Sequence, residues 1–437
     1  VVYFHIKTSI MKLWQKKKTS VTKQVDRFTV GADRLWDVRL APYDVLASKA
    51  HAQMLAGVGL LTAAEAKQLC SELDNIMTLV SQESFVIEDD FEDIHSKIEF
   101  LLTERLGDVG KKIHTARSRN DQVLTAMQLL LKDELSEIKT LTKDLFDTWM
   151  GLAETHKDVL LPGYTHLQVA MPSSFGLWFS AYAESLIDDV VLLNAAHTIC
   201  DQNPLGSAAG YGSSFTIDRA HTTHSLGFGA LKVNAVAAQM GRGKTERITA
   251  NAMGSLAATL GRFSMDVCLY MSQNFDFISF PDHLTTGSSI MPHKKNPDIF
   301  ELIRGKCALI QGLGNDFALL GQNLPSGYHR EMQLFKGRML EGIDELKDCL
   351  TMLNSTIKEV QVRKEIMADA KYAYAFTVDA LNELVQQGIP FRDAYKQVGL
   401  KVEEGTFEAP EKVEHTHIGS LGNLALDKIQ EKFDKQF

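Results

Sequence analysis

The residues best suited to chemistry lie at positions 287–297, where the sequence reads Gly-Ser-Ser-Ile-Met-Pro-His-Lys-Lys-Asn-Pro. Glycine permits backbone angles that other residues avoid, and cations and an amide follow it within a few positions. Such a loop can fold over an anion, because backbone N–H groups, Lys294 and Asn296 all donate hydrogen bonds. We expect an anion-binding loop that ends at a new helix, with a mobile surface loop as the alternative.

Two further polar clusters adjoin predicted helices. Residues 114–122 read His-Thr-Ala-Arg-Ser-Arg-Asn-Asp-Gln and are rich in donors suited to carboxylates, with a helix predicted directly after them. Residues 163–168 read Gly-Tyr-Thr-His-Leu-Gln and are predicted to form a loop between two helices. Alone, the first cluster is typical of a helix cap and the second of a structural histidine. Because a bundle can gather side chains from separate helices, we expect one shared site.

Two other patterns are weaker. Gly243-Lys244-Thr245 resembles the end of a phosphate-binding loop, but the first glycine of that motif would fall at Ala238. His221 and His224 are spaced to meet on one helix face, yet no third metal ligand lies near them in sequence. The sequence therefore favours neither a nucleotide-binding loop nor a metal site.

The elements that must position these clusters are long helices. Apolar residues recur at steps of three and four in residues 123–152, 175–193, 248–270, 299–317 and 332–360. Prolines are scarce within these stretches, and period-two strand patterns are few. We expect an all-α protein, with an N-terminal helical domain (1–115), a long central helical bundle (116–360) and a small C-terminal helical domain (361–437).

Composition narrows the class of protein further. The 437 residues carry a net formal charge of −9 and are 45% hydrophobic, which argues against a nucleic-acid binder and excludes a disordered chain. The five cysteines are widely spaced and form no Cys-x-x-Cys pair, so reduced thiols in a cytoplasmic setting fit best. The longest uncharged stretch, residues 159–183, contains prolines and glycines, so we expect a loop and a buried helix there and no membrane span.

Together the three clusters resemble a known family. Gly287, Ser288, Met291, Lys294 and Asn296 match the fumarase/aspartase superfamily signature Gly-Ser-x-x-Met-x-x-Lys-x-Asn. The clusters at 114–122 and 163–168 are similar to those of the argininosuccinate lyases, and the resemblance extends from about residue 26 to about residue 401. We expect three long motifs to occur in this order by chance only very rarely.

The resemblance implies a reaction and an assembly. The reaction would be the reversible elimination of fumarate from argininosuccinate to give arginine, the last step of arginine biosynthesis, without metal or organic cofactor. The assembly would be an all-helical homotetramer whose central helices form a shared bundle, with each active site built from three subunits. The substrate is a small molecule, and neither nucleic acid nor membrane is implied as a partner.

The resemblance also implies catalytic roles. Ser288 would be the base, activated by Lys294 and the N–H groups of its loop. His166 would handle the proton of the leaving group, and Glu301 would hold the imidazole and raise its basicity. The base and acid roles of Ser288 and His166 could be exchanged, and the sequence leaves both assignments open.

Substrate binding carries over to a larger set. The expected residues are Ser48, Arg119, Asn120, Thr165, Asn296, Tyr328, Gln333 and Lys336. Each also has a structural alternative: Ser48 and Thr165 as helix caps, Tyr328 as a packing residue, and Lys336 as a solvated charge.

Two other functions compete with this one. His293 stands where argininosuccinate lyases commonly carry glutamine, and a histidine there is similar to the adenylosuccinate lyases. A sister lyase acting on adenylosuccinate or another succinyl adduct is therefore one alternative. A structural protein like the lens crystallins of this family is the other, and the presence of His166, Ser288, Lys294 and Glu301 together argues against it.

Overall fold

The computed structural model describes residues 22–82, 84–410 and 415–437, and these residues are mostly helical. Their fifteen α-helices are α1 Lys23–Val30, α2 Asp33–Gly57, α3 Ala63–Val80, α4 Ile94–Leu106, α5 Asp108–Lys111, α6 Arg119–Thr155, α7 Phe175–Cys200, α8 Arg219–Ser225, α9 Ala235–Met240, α10 Lys244–Tyr270, α11 Asp298–Leu320, α12 Leu334–Ile357, α13 Thr377–Gln386, α14 Phe391–Glu403 and α15 Leu426–Asp434. The predicted all-α class is confirmed.

Strands are few and short in the described residues. They are β1 Leu160–Thr165, β2 Gln168–Ser174, β3 Gln202–Asn203, β4 Ala230–Leu231, β5 Ile278–Ser279 and β6 Gln361–Val362. They pair as three two-stranded sheets, β1–β2 and β5–β6 antiparallel and β3–β4 parallel. Short 3₁₀ turns cover Lys112–His114, Asp282–Leu284, Arg330–Gln333, Ile366–Ala368 and Ala370–Phe376.

The five predicted helical stretches correspond to α6, α7, α10, α11 and α12, and the 25-residue α2 is a sixth long helix that no predicted stretch covers. Their apolar stripes are buried, as in Leu131, Leu135 and Ile138 of α6, so the three-and-four spacing marks one packed face. A proline does not mark a helix end everywhere in this chain, because Pro42 lies inside α2 and that helix continues to Gly57. Among the described residues, no helix combines the length and the apolar character that crossing a membrane requires.

The chain forms two compact units, each made of discontinuous segments. Unit 1 takes in the chain up to Glu137 together with Leu193–Ala252 and Gly312–Asp344. Unit 2 takes in Ile138–Leu192, Met253–Gln311 and Glu345–Phe437. The division into successive domains at residues 115 and 360 stays a prediction.

Each unit has its own core. In unit 1, α2, α3 and α4 pack together through fully buried side chains such as Leu55, Leu69 and Leu102. In unit 2 the core is aromatic: the rings of Trp178 and Phe263 stack with centroids 5.1 Å apart. Burying large aromatic side chains strongly stabilises a helical scaffold. In unit 2 this scaffold supports the β1–β2 hairpin and the loop before α11.

One prediction about local structure was wrong. Residues 163–168, expected as a loop between helices, form the end of the β1–β2 hairpin. Its strands are short and carry Pro162 and Pro172, two buried residues that pair opposite each other, so the sequence shows no clean alternating pattern. The hairpin leads directly into α7.

Candidate functional site

The twelve predicted site residues divide between the two units. Unit 1 holds Ser48, Arg119, Asn120, Tyr328, Gln333 and Lys336. Unit 2 holds Thr165, His166, Ser288, Lys294, Asn296 and Glu301. The groups predicted to bind substrate thus lie mainly in unit 1, and the groups predicted to move protons all lie in unit 2.

In unit 2, His166 stands at the tip of the hairpin in an unusual backbone conformation. Thr165 pairs with Gln168, so His166 and Leu167 are the two turn residues, and their φ angles are +55° and +57°. A two-residue turn with both φ values positive normally uses Asn and Gly. Non-glycine residues in this region cost about 1–2 kcal/mol each, and such strain concentrates at functional sites. The imidazole of His166 is exposed at this strained turn.

The strand residues just before the turn are closely packed. The register slips between Gly163 and Tyr164, and a Cβ at Gly163 would lie only 3.0 Å from the Met171 carbonyl oxygen. Tyr164 packs its ring against Phe275, with centroids 5.5 Å apart. Burial raises the pKa of the Tyr164 phenol above its ordinary value, and a hydrogen bond with Tyr372 adds to the shift. The aromatic core therefore fixes the hairpin that carries His166.

The second functional segment of unit 2 is the loop before α11. Thr286 and Asn296 close it by a pair of backbone hydrogen bonds, with the Asn296 N–H donating to the Thr286 carbonyl at 2.8 Å. The Asn296 amide also donates to the Gly287 carbonyl at 3.4 Å. The loop and the helix after it lie where the sequence places them, and anion binding by this loop stays a prediction.

Ser288 occupies the turn of this loop and accepts two backbone hydrogen bonds. The N–H groups of Met291 and Ile290 point at its Oγ from 3.2 Å and 3.4 Å. Donors aimed at a hydroxyl oxygen favour its ionised form, so the loop supplies part of the field that a serine base requires. The same bonds also describe an ordinary serine turn.

Lys294 and Glu301 are both exposed to solvent in unit 2. Glu301 lies in the first turn of α11, where it can also complement the positive end of the helix. Within the described part of this chain, no hydrogen bond joins Glu301 to His166. Their predicted pairing is therefore not formed inside a single chain.

In unit 1, five of the predicted residues line one cavity of about 590 Å³. The lining comprises Val30, Asp33, Asp37, Glu92, Asp93, His95, Arg119, Asn120, Val123, Arg242, Tyr328, Arg330, Gln333 and Lys336. Cations and carboxylates are balanced around it. Such a cavity suits a ligand that itself carries both carboxylates and a cationic group.

Lys336 is the most constrained of these residues. Its ammonium is 3% exposed and lies between the carboxylates of Asp33, at 3.0 Å, and Asp37. Burial acts to lower the pKa of Lys336, but the charges of Asp37 and Asp33 outweigh it and raise that pKa. For Asp33, burial raises the pKa, and this effect exceeds the lowering by the positive charge of Lys336. The lysine is charged, and it is a buried group, not the solvated surface charge of the alternative interpretation.

Arg119 and Gln333 are also held in place. The Arg119 guanidinium donates to Asp93 at 2.7 Å and to Glu92 at 3.1 Å. The Gln333 amide donates to the backbone carbonyls of Thr29 and Val30, at 3.0 and 3.2 Å. These bonds fix the two side chains at the cavity wall before any ligand enters.

Ser48 lies outside the set that lines this cavity. It is fully buried on α2, and its Oγ accepts a hydrogen bond of 2.8 Å from Arg117. On the same helix Asp44 contacts His95 at 2.9 Å, with both side chains buried. Burial acts to lower the pKa of His95, but the charge of Asp44 and its hydrogen bond raise that pKa. Ser48 belongs to a buried polar layer of unit 1.

Several cavity residues carry no strong signal in the sequence. Asp33 and Asp37 are spaced by four on a helix, which is also the pattern of an ordinary surface face. Asp93 and His95 flank the start of α4, where Asp93 acts as its cap and accepts from the Ser96 N–H at 2.8 Å. A cluster of acidic residues before an apolar helix was the available hint.

The last pattern singled out in the sequence is the pair of histidines spaced for a metal site. His221 and His224 are both exposed on α8. Across residues 22–82, 84–410 and 415–437, no cluster of three or more His, Cys, Asp or Glu side chains is arranged to hold a metal ion.

Comparison with known proteins gives the class of the chain. A family model described as "Lyase" matches residues 17–312, which is more than half of the chain. The chain therefore belongs to this lyase family.

Curated relatives narrow the class. The argininosuccinate lyase of Parabacteroides distasonis is 55% identical over 418 residues, covering 96% of this chain and 94% of the relative. That of Bacteroides thetaiotaomicron is 52% identical with the same coverage, and that of Xanthomonas axonopodis pv. citri is 39% identical, covering 96% of this chain and 98% of the relative. The chain belongs to the argininosuccinate lyase family.

Solved structures agree on the fold. The chain resembles an EDDS lyase in complex with formate, with a TM-score of 0.78 at 20% identity, covering 96% of this chain and 91% of that one. A class II fumarase from Schistosoma mansoni gives a TM-score of 0.72 at 16% identity, covering 94% and 95%.

Proposed function

We propose that this chain catalyses the reversible elimination of fumarate from argininosuccinate, releasing arginine, as in the last step of arginine biosynthesis. The observation that carries the proposal is the 52–55% identity to argininosuccinate lyases over 96% of the chain. The three polar clusters that suggested this chemistry all lie within that span.

The reaction removes a proton from the carbon next to a carboxylate and breaks the C–N bond to the guanidinium group. Negative charge moves onto that carboxylate, so stabilising it is the main task of the enzyme. We assign Ser288 as the base, because two backbone N–H groups already point at its oxygen. Lys294 follows in the same loop, and Asn296, bonded to Gly287, holds the loop closed.

His166 carries the other proton transfer in this proposal. It delivers a proton to the departing nitrogen, directly or through water, while Thr165 beside it binds substrate. Glu301 orients the imidazole and raises its basicity. The exchanged assignment has His166 as base and Ser288 as acid. It uses the same residues, and kinetic measurements distinguish the two assignments.

Substrate binding falls to the cavity of unit 1. Argininosuccinate carries three carboxylates and a guanidinium, and the cavity presents both cations and carboxylates. Arg119, Asn120, Tyr328, Gln333 and Lys336 are the binding residues of this proposal. We assign Ser48 to the same binding set, with its Oγ held by a hydrogen bond from Arg117.

We further propose a homotetramer with active sites shared between subunits, working in the cytoplasm. The absence of a Glu301–His166 bond among the described residues fits a site completed by another copy. All five cysteines are free thiols, which fits a reducing compartment. Sedimentation that found a fully active monomer would contradict the shared site.

The test is fumarate release, followed by ultraviolet absorbance, from argininosuccinate and separately from adenylosuccinate. Release from argininosuccinate alone is the expected result. Release from adenylosuccinate alone would keep the elimination chemistry and overturn the substrate, which is the outcome that His293 allows. Activity with neither substrate would contradict the proposal, provided that the purified protein is folded.

A further inference from the structure

Gly241, Arg242 and Gly243 form a turn directly before α10, which begins at the lysine of the rejected phosphate-loop segment Gly243-Lys244-Thr245. Gly243 has φ +77°, and a Cβ there would lie 3.1 Å from the ring of Phe335. Both the backbone angle and the close approach require glycine. The turn therefore places Arg242 and Lys244 at the N-terminal end of a 27-residue helix.

A cavity of about 700 Å³ opens at this turn in unit 1. Arg242, Lys244 and Arg247 line it together with the small residues Ser326 and Gly327, and no carboxylate is among its lining residues. This differs from the balanced cavity described above. In a chain with net charge −9, a cavity whose charged lining residues are all cations is a distinct electrostatic feature.

The cations of this cavity are poorly neutralised. Lys244 and Arg247 are exposed, and neither forms an ion pair with any carboxylate in the described parts of the chain. The nearby Glu246 is buried, and its carboxylate contacts the Arg242 Nε at 3.0 Å and accepts from the Gly243 N–H at 2.6 Å. Burial lowers the pKa of neighbouring Lys232, and the charge of Lys244 lowers it further.

Arg242 provides a separate observation. The residue is 4% exposed, and its Nη2 donates to the Met332 carbonyl at 3.1 Å. Its Nη1 is buried and has no hydrogen-bond acceptor in residues 22–82, 84–410 and 415–437. A buried donor without a partner is costly, and in native proteins it often marks the place of an ion or water.

We infer that this cavity, at the N-terminal end of α10, is a binding site for a small dianion, either inorganic phosphate or a dicarboxylate. Lys244 and Arg247 supply charge from the rim, Arg242 supplies the buried donor, and the helix end adds a partial positive charge. After Glu246 offsets one of the three cations, the remaining charge matches a dianion. The inference does not depend on the proposed function, because it concerns binding alone.

The test is calorimetric titration of the full-length chain with inorganic phosphate, at an ionic strength held constant with chloride. The variant replaces Lys244 and Arg247 together by Ala. Loss of two charge-assisted contacts should weaken phosphate binding at least about tenfold. Arg242 is left intact, because it also lines the cavity proposed for substrate.

The matched control replaces Lys428 and Lys435, two exposed lysines of unit 2, by Ala and removes the same charge. It should bind phosphate like the wild type. If the Ala variant at 244 and 247 unfolds, Lys244→Gln and Arg247→Gln are titrated singly, and each should weaken binding.

A second titration uses succinate to identify the source of the dianion. Phosphate binding alone assigns the site to oxyanions, and succinate binding alone assigns it to dicarboxylates. Either result supports the site if the variant at Lys244 and Arg247 loses it. Equal binding by variant and wild type, or no binding of either anion by the wild type, would overturn the inference.

Discussion

The two groups of functional residues are held by opposite means. In unit 1, Lys336 is 3% exposed and is surrounded by the carboxylates of Asp33 and Asp37. In unit 2, Lys294 is exposed in a loop that two backbone hydrogen bonds close. Lys336 is part of a buried ion network, whereas Lys294 is an exposed side chain in a loop held by backbone hydrogen bonds.

Because one group of residues is buried and paired and the other is exposed, substitutions in the two units should affect stability differently. Removing one member of a buried ion pair leaves uncompensated charge and costs about 3–5 kcal/mol. Removing an exposed side chain from a loop usually changes the free energy of unfolding by less than about 0.5 kcal/mol. We therefore expect unit 2 variants to lose activity while staying folded, and unit 1 variants to lose both.

The largest effect should come from Ser288→Ala. Loss of a general base typically lowers turnover by about 10²–10⁴-fold, and we expect the upper part of that range. The unfolding temperature should stay at the wild-type value, because Ser288 contacts only the backbone of its own loop. Fumarate release and circular dichroism give the two readouts. A turnover near that of the wild type would remove Ser288 from the proposed role.

Lys336→Met and Lys294→Met form a pair that tests the comparison itself. Lys336→Met strands Asp33 and Asp37 in a buried site, so we expect a loss of about 3–5 kcal/mol in denaturant unfolding. Lys294→Met removes the same charge from the surface and should leave the unfolding curve unchanged. Equal stability of the two variants would contradict the distinction between the units.

His166→Asn should lower turnover by about 10²-fold, because asparagine cannot transfer the proton. Asparagine tolerates the positive φ that this turn demands, so the hairpin should remain folded. Steady-state kinetics measure the loss, and the unfolding temperature serves as the control. A variant with unchanged turnover would exclude His166 from proton transfer.

The Asp44–His95 pair predicts a pH dependence of stability in unit 1. The pKa of His95 is raised in the folded chain, so its contribution is present below the ordinary value and is lost as pH rises through the raised one. The stability advantage of the wild type over His95→Gln should therefore be largest below about pH 6.5, the ordinary pKa of histidine, and shrink as the pH rises above it. Denaturant unfolding at several pH values measures it. An advantage that grew with pH would contradict the pairing.

The smallest effect is expected from Leu167→Asn in the hairpin of unit 2. Leu167 is 72% exposed and has φ +57°, so the change removes backbone strain and little packing. We expect a gain of up to about 1 kcal/mol in the free energy of unfolding, with turnover retained. A clear loss of stability would show that the leucine side chain packs on another surface.

The sequence was a good guide where a pattern is long. Five stripes of apolar residues predicted five of the six long helices, all but α2, and the glycine-serine segment predicted the loop of Ser288. The hairpin of His166 was missed because its turn residues, His166 and Leu167, are not the Asn-Gly pair that signals such a turn.

The cavity of unit 1 could be predicted only in part. Arg119 and Asn120 stand in a recognisable cluster, whereas Asp33 and Asp37 look like the polar face of an ordinary helix. Their role depends on packing between α2 and the start of α12, where Lys336 meets them, and single-sequence patterns do not encode such distant contacts. Ser48 was placed in the site by its motif, and its burial against Arg117 is visible only in three dimensions.

The most direct test of this division of labour is equilibrium binding of argininosuccinate to Ser288→Ala, measured by calorimetry. Because most of the proposed binding residues lie in unit 1 and Ser288 is not among them, we predict that the inactive variant binds with an affinity close to the wild-type KM. Adding Arg119→Ala to it should abolish that binding, since the guanidinium lines the cavity. Failure of Ser288→Ala to bind argininosuccinate, or binding that survives the loss of Arg119, would contradict the account.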